Sequence, residues 1–436
     1  MKAASAIART GNSAVRRNVP HVAEKAWHKV NLPLLILIAF IPLQNIYLGK
    51  FPSLGGGINF INVMLILSIM TWKFRADLTA PTRTTVGKLL FVYICIYFFS
   101  TIYALITLGP IRDGSLFHML KDIIVGMLFY YLVLNSVRDY RGIVYTILAT
   151  FMPLPYMFRV FYTQLQGVLS ANYDDSLRTV SGTFMELGSN EIAAFYASYT
   201  MIILALIIYI KDVRIRAGLL LLAVTNIYCA VYAYSRGAYL AMLLGLAVLF
   251  WQVNKKLAVI GIVSILVFGA ALSPFFPNSV QQRFGSIFAD EGQRDRSAES
   301  RFVLWGLAMD QFKKSPIVGI GFKSFRRVGR TGQDTHNYFV KVLTEQGIIG
   351  LLCLLAIIWC AWQASRKLVQ RAKEPLYKAL GAGMLGCIAV VSLGSAFGDR
   401  FTHYPLISYF WVYLALVHRA LFLSDDQQDV RDKLGS

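Results

Sequence analysis

Long apolar runs recur along almost the whole chain, and they decide what it can fold into. A helix needs roughly 20 mostly apolar residues to cross a bilayer. Such stretches lie near 31–49, 57–73, 88–108, 116–135, 141–163, 188–210, 216–233, 237–253, 256–276, 347–364, 377–396 and 404–422. They are too long and continuous for the alternating strands of a membrane barrel. Lipid also forces each backbone to satisfy its own hydrogen bonds, so each run is expected as a helix. Composition agrees: 56% of the residues are hydrophobic and 15% charged, and a soluble domain could not cover that much apolar surface with so few charges. The expected fold class is all-α, a polytopic integral membrane protein with about 12 transmembrane helices.

The net charge of +20 raises the question of nucleic acid. The basic residues, however, are spread through connections between apolar runs, and no basic patch with interleaved aromatics stands apart from them, so no nucleic-acid partner is expected. Their spread instead sets orientation. The N-terminal tail, Lys73–Lys88, Arg138–Arg141, Lys211–Arg216, Lys255–Lys256, Arg366–Lys378 and the C-terminal tail form one alternate set. That set holds roughly 25 Lys and Arg, against about six in the short connections of the other set, which marks it as cytoplasmic. Both termini then face the cytoplasm. The start of the chain is basic without an apolar core, so it does not read as a cleavable signal peptide. Cys95, Cys229, Cys353, Cys360 and Cys387 all fall inside apolar runs, with neither disulfide nor metal spacing. The chain divides into a basic tail (1–30), nine spans (31–276), a large outer loop (277–346), three spans (347–422) and a second tail (423–436).

The outer face carries the connections near 50–56, 109–115, 164–187, 234–236, 277–346 and 397–403. The loop at 277–346 far exceeds ordinary connection length, which points to function or structure of its own. Within it, Ser300 to Lys314 reads as an amphipathic helix at the membrane interface. Phe302, Leu304, Trp305, Leu307, Ala308 and Phe312 fall at helical spacings there, as an interfacial helix requires. Gly319 and Gly321 break the chain before the basic cluster Lys323, Arg326, Arg327 and Arg330.

The candidate chemistry gathers at this face. His336 lies about ten residues before a span, and Asp334 or Thr335 is placed to cap a short helix there. Histidine titrates near neutrality without help, which suits a general base; a loop histidine beside a cap is the plainer alternative. Arg236, after Tyr234 and Ser235, opens a span at the outer boundary. It is either a snorkelling lipid anchor or an anion ligand, and Gly237 and Ala238 leave room for a second backbone. Arg301 opens the amphipathic helix, and Arg283, Arg294 and Arg296 precede it in the same loop. Guanidinium matches phosphate oxygens with paired hydrogen bonds better than ammonium does. His118 and Asp122 share a helix face beside Lys121. Glu186 and Glu191 begin one span, and Arg400 and His403 precede the last. No phosphate-cradling glycine loop, zinc spacing or Asp-x-Asp cluster is present in the sequence, so no metal and no cofactor is expected.

Three segments, SRGAYLA at 235–241, SRFVLWGLAMDQFKKSPIVGIGFKSF at 300–325 and HNYFVKVLTEQGIIGLL at 336–352, resemble the O-antigen ligase and O-antigen polymerase superfamily of bacterial envelope glycosyltransferases. GTFMELGSNEIAAF at 182–195 is a weaker match. The three stronger segments follow the family order, and the large loop before a late span fits. The resemblance implies a metal-independent, inverting transfer at the periplasmic face of the inner membrane. The donor would be a glycan on undecaprenyl diphosphate and the acceptor a sugar hydroxyl of lipid A–core, with membrane lipids as surroundings. It implies His336 as the base and Arg236 and Arg301 as diphosphate ligands. The residues themselves add Arg283 as a further diphosphate ligand, with Asn337, Ser235, Glu186, His118 and Asp122 in support. A single dominant outer loop favours a ligase over the alternative, a polymerase that uses a second lipid-linked repeat as acceptor, and the short stretch after the final span favours it over the protein O-oligosaccharyltransferases of the same superfamily. A transporter or lipid flippase is the alternative from another class. Paired broken helices or repeated halves would mark it, and the sequence shows neither.

Overall fold

The computed structural model describes residues 30–47, 60–74, 82–109, 115–170, 172–185, 188–256, 259, 277–285, 296–329 and 332–434. The described residues are helical with no strand. The main helices are α1 (Leu32–Phe40), α2 (Phe60–Phe74), α3 (Thr85–Leu108), α4 (Ser115–Ser136), α5 (Tyr140–Phe151), α6 (Leu154–Val168) and α7 (Ser189–Tyr209). They continue with α8 (Val213–Tyr232), α9 (Arg236–Val253), α10 (Asn278–Gly285), α11 (Arg296–Lys314), α12 (Tyr338–Arg371), α13 (Pro375–Ala396) and α14 (Tyr404–Leu434). Among the described residues, nine helical segments are long and apolar enough to cross a membrane, with α5 and α6 together making one. All nine coincide with expected spans. The expected spans at 31–49 and 57–73 are represented by the shorter apolar helices Leu32–Ile46 and Phe60–Phe74. Most of the expected span at 256–276 lies outside the described residues.

Local chemistry sets the helix starts. Thr84 Oγ1 accepts the Gly87 N–H at 2.9 Å to begin α3, and Asp139 Oδ1 accepts the Gly142 N–H at 2.7 Å to begin α5. Asp212 does the same for α8. Each cap satisfies an N–H that the helix itself leaves unpaired. Pro153, just before α6, divides what hydropathy reads as one span at 141–163, because proline supplies no N–H to the preceding turn.

The bundle separates lipid-facing helices from enclosed ones. Leu220, Leu221 and Val224 of α8 are exposed, as are Phe91, Phe98, Ile102 and Ile106 of α3. In α13 and α14 most residues are buried. Glycine lets α13 approach its neighbours closely. A Cβ on Gly386 would stand 3.1 Å from the Gly245 carbonyl oxygen of α9, and one on Gly383 would stand 2.9 Å from Ile202 Cα of α7. Small residues at such crossings are how membrane helices gain packing without a hydrophobic drive.

The segment before the late spans is built on a broken helix. α12 begins at Tyr338, well before the expected span at 347, but Gly347 inside it has φ 68° and ψ −167°. The break leaves main-chain groups that the preceding loop satisfies. Ile320 N–H donates to the Thr344 carbonyl at 3.0 Å and Gly321 N–H to that of Glu345 at 2.9 Å, while Ile348 N–H donates to the Pro316 carbonyl at 2.9 Å. The loop also reaches α3, where Phe322 N–H donates to the Ser100 carbonyl at 3.0 Å. The two glycines expected only to interrupt the chain, Gly319 and Gly321, therefore dock it into the break.

Candidate active site

Four connections meet at one end of the bundle. Arg178, Asn190, Ser235, Arg236, Gly237, Arg283, Arg301, Phe397 and Arg400 line one pocket that encloses, with its open mouth, about 350 Å³. Five of the nine are arginines.

Each arginine arrives on a differently anchored element. Arg236 is the first residue of α9, after Tyr234, whose φ of 52° is unusual for a bulky residue. The Tyr234 hydroxyl lies 3.1 Å from Ser279 Oγ, and Arg283 Nε donates to the Tyr234 carbonyl at 3.0 Å, so α10 grips this turn at two points. The Arg283 guanidinium also sits over the Tyr173 ring, 4.7 Å from its centre, in a cation–π contact. Arg178 belongs to the 3-10 turn Asp175–Thr179. Arg400 opens the turn before α14, and its Nη1 donates to Glu191 Oε1 at 3.0 Å with both side chains largely enclosed. Against Gly237, a Cβ would meet that of Phe397 at 3.0 Å, so the close neighbour expected there is a side chain rather than a second backbone.

Arg301 is carried by α11, whose Leu304 and Ala308 bury against Phe325 with Val340 beside them. Phe302 and Val303 are exposed, so Phe302 does not share the buried side of this helix. The indole of Trp305, one turn beyond Arg301, donates to the Thr335 carbonyl at 2.9 Å.

His336 is exposed on the loop between buried Thr335 and Asn337, with φ 52°. Left-handed backbone at a non-glycine residue costs roughly 1–3 kcal/mol and persists only where neighbours impose it. Here the neighbours are visible. Thr335 Oγ1 donates to the Asn337 carbonyl at 2.9 Å, and Asn337 Oδ1 accepts the N–H groups of Phe339 and Val340 at 3.0 and 3.2 Å. Asn337, not Asp334 or Thr335, is thus the cap of α12. Tyr338 then locks the helix start, its hydroxyl 2.7 Å from that of Tyr97 and its ring stacked on Phe401. Asp334 instead pairs with Lys341 at 2.5 Å, and Lys341 also pairs with Asp399 at 2.7 Å.

The electrostatics follow from this arrangement. Partial desolvation, then the Arg301 guanidinium, hold the His336 imidazole below the usual histidine range; Asp334 pulls the other way, and Lys341 and Arg400 add to the lowering. Burial would raise the Asp334 carboxyl, but the Lys341 charge and hydrogen bond keep it below its ordinary value. Burial pushes Asp399 up to about 6 against the pull of Lys341. Burial and Arg400 hold His403 down at about 3, so it is neutral at any working pH. The pocket is therefore cationic, with a neutral imidazole in electrostatic reach of two of its arginines. A guanidinium only donates hydrogen bonds and cannot ligate a cation, so the chemistry of this lining suits an anion.

Of the residues singled out in the sequence, Ser235, Arg236, Arg283 and Arg301 line the pocket. His118, exposed on α4, and Asp122, 3.7 Å from Lys121, do not. Glu186, Arg294 and Arg330 lie outside the described residues, as does the Arg296 side chain. Arg400, noted in the sequence among the ionisable groups before the last span, also lines the pocket. Arg178, Lys341 and Asp399 are not singled out by any sequence pattern.

Fold and site together define a multi-pass helical membrane protein with an arginine-lined pocket at one end. Residues 221–355 match the family model for O-antigen ligase, which bears out the resemblance drawn from the motifs. The matched stretch contains Arg236, Arg283, Arg301 and His336. The chain is also similar to the exopolysaccharide production protein ExoQ of Rhizobium meliloti (strain 1021), at 27% identity over 109 residues. That similarity covers 21% of this chain and spans 25% of the length of the relative.

Proposed function

We propose that the protein is a membrane glycosyltransferase of the ligase class. It moves an O-antigen glycan from undecaprenyl diphosphate to a sugar hydroxyl of lipid A–core at the periplasmic face of the inner membrane. One observation carries this reading: five arginines from four connections line one pocket, with His336 in electrostatic reach of Arg301 and Arg400. Arg236, Arg283 and Arg301, joined by Arg178 and Arg400, hold the diphosphate. As the bond from the anomeric carbon to the phosphate oxygen breaks, charge develops on the diphosphate, and fixed guanidinium groups stabilise it. The acceptor hydroxyl attacks from the opposite face, its oxygen bonds to the anomeric carbon, and its proton passes to His336. Undecaprenyl diphosphate leaves, and one displacement inverts the anomeric centre. A neutral imidazole is the competent form, and the surrounding positive charge favours it. The topology inferred from Lys and Arg supports an outward-facing site, because seven of the nine pocket residues come from connections assigned to the outer face and the other two, Asn190 and Gly237, lie in the adjoining first helical turns.

A polymerase using a second lipid-linked repeat as acceptor is the second reading, favoured by the similarity to a protein named for exopolysaccharide production. Incubation of purified protein with undecaprenyl diphosphate glycan and either acceptor decides between them. Consumption of lipid A–core is expected. Consumption of the lipid-linked repeat alone would transfer the assignment to the polymerase, and no product with either would remove both.

A further inference from the structure

We propose that Lys341 is a positioning residue for this transfer: with Asp334 and Asp399 it ties the loop carrying His336 to the turn carrying Arg400 and fixes the base relative to the anion pocket. The inference rests on the reading of His336 as the base. Lys341 lies one turn into α12, with its side chain 3% exposed. One carboxylate partner, Asp334, is two residues before His336; the other, Asp399, immediately precedes Arg400. At 2.5 and 2.7 Å, a single ammonium group therefore joins two segments that are far apart in sequence and both carry site residues. Asp399 Oδ1 is buried without a hydrogen-bond partner among the described residues, and Lys341 is the cation paired with its Oδ2. Enclosure leaves these charges dependent on one another, and removal of one strands the others.

The cluster also sets the field at the imidazole. The charged groups that act on His336 are Arg301 from α11, Asp334 from its own loop, Lys341 from α12 and Arg400 from the turn before α14. Lys341 and the two arginines disfavour its protonation, and Asp334 favours it. Removal of the lysine and removal of the aspartate are therefore expected to move the base in opposite directions.

The experiment measures transfer against pH, and donor binding separately, for Lys341→Met, Asp334→Asn and His336→Gln on equal amounts of folded protein. For Lys341→Met, the acid limb of the rate profile is expected to move up by about one pH unit, with a lower plateau and donor affinity within a few-fold of wild type. For Asp334→Asn the limb is expected to move down; this variant leaves Lys341 paired with Asp399, so it carries the test if Lys341→Met fails to fold. An acid limb unmoved in every folded variant, with activity following the folded fraction, overturns the positioning role. Near-normal transfer by His336→Gln overturns the base assignment, and the positioning role with it. A severely slowed His336→Gln beside unmoved limbs in the other variants overturns the positioning role alone.

Discussion

The indole Nε1 of Trp305 donates to the carbonyl of Thr335 at 2.9 Å, and this bond joins the helix of Arg301 to the loop of His336. Arg301 and Trp305 are four residues apart, so they lie on the same face of α11. Through that bond, the ligand proposed for the diphosphate and the proposed base share one rigid support. Trp305→Phe keeps the ring and removes the donor, leaving the buried Thr335 carbonyl without this partner. Transfer should slow by about ten- to a hundredfold, since small misplacements of reacting groups are costly, while donor binding persists. Unchanged turnover by a folded Trp305→Phe protein would show that the bond does not position the site.

His336→Gln keeps hydrogen-bonding capacity and approximate size but cannot take a proton near neutrality. Its rate should fall by about 10²–10⁴-fold with donor binding retained. In the wild type, the imidazole is held below the ordinary histidine value of about 6.5. The neutral form is the base, so activity should be full above that lowered value and decline as pH falls through it. A half-activity point clearly above the ordinary value would contradict the environment described for His336.

Arg236→Lys and Arg301→Lys test whether the pocket recognises phosphate geometry or charge alone. Lysine preserves the charge and loses the planar fork. A charge-assisted hydrogen bond is worth about 1.5–3 kcal/mol, so each variant should bind donor roughly ten- to a hundredfold more weakly. Isothermal titration with undecaprenyl diphosphate glycan reads this directly. If Arg236→Lys bound normally, Arg236 would be an anchor for lipid headgroups rather than a ligand.

Gly347→Ala should destabilise the protein severely, because φ is 68° and the new Cβ would stand 2.2 Å from the Ile317 carbonyl oxygen. Gly332 has a similar φ of 65°, but nothing lies within 4 Å of a Cβ there. Gly332→Ala should therefore cost only about 1 kcal/mol, the conformational penalty alone. Thermal unfolding in detergent separates the two. Equal losses would mean that close packing at Gly347 contributes nothing beyond backbone conformation.

The spans were legible because lipid permits few solutions: a long apolar run must be a helix, and hydropathy finds it. Arg236, Arg283 and Arg301 were legible because arginine in connections read as outer needs a reason to be there. Lys341 and Asp399 were not. Their pairing joins residues 58 positions apart, and no local pattern announces it. Lys341 was further hidden by the break at Gly347, since hydropathy begins the span after the glycine and leaves the preceding helical turns looking like loop. The cap was misplaced for a related reason: Asp334 has the chemistry of a cap, but a buried ammonium claims its carboxylate, and the role falls to Asn337. Arg178 sits in an exposed-looking polar turn, indistinguishable by sequence from a solvated charge.

The docked break at Gly347 has a consequence for how such a chain tolerates change. The segment from Pro316 to Phe322 is hydrogen-bonded in register to Thr344, Glu345, Ile348 and Ser100. Inserting or deleting one residue there would shift every one of those pairings at once. The apolar shaft beyond the break, by contrast, can drift through substitutions that keep it greasy without disturbing the polar end. Variation within a lineage should therefore collect in the shaft as exchanges of side chain, while the chain length between Pro316 and Ile348 stays fixed.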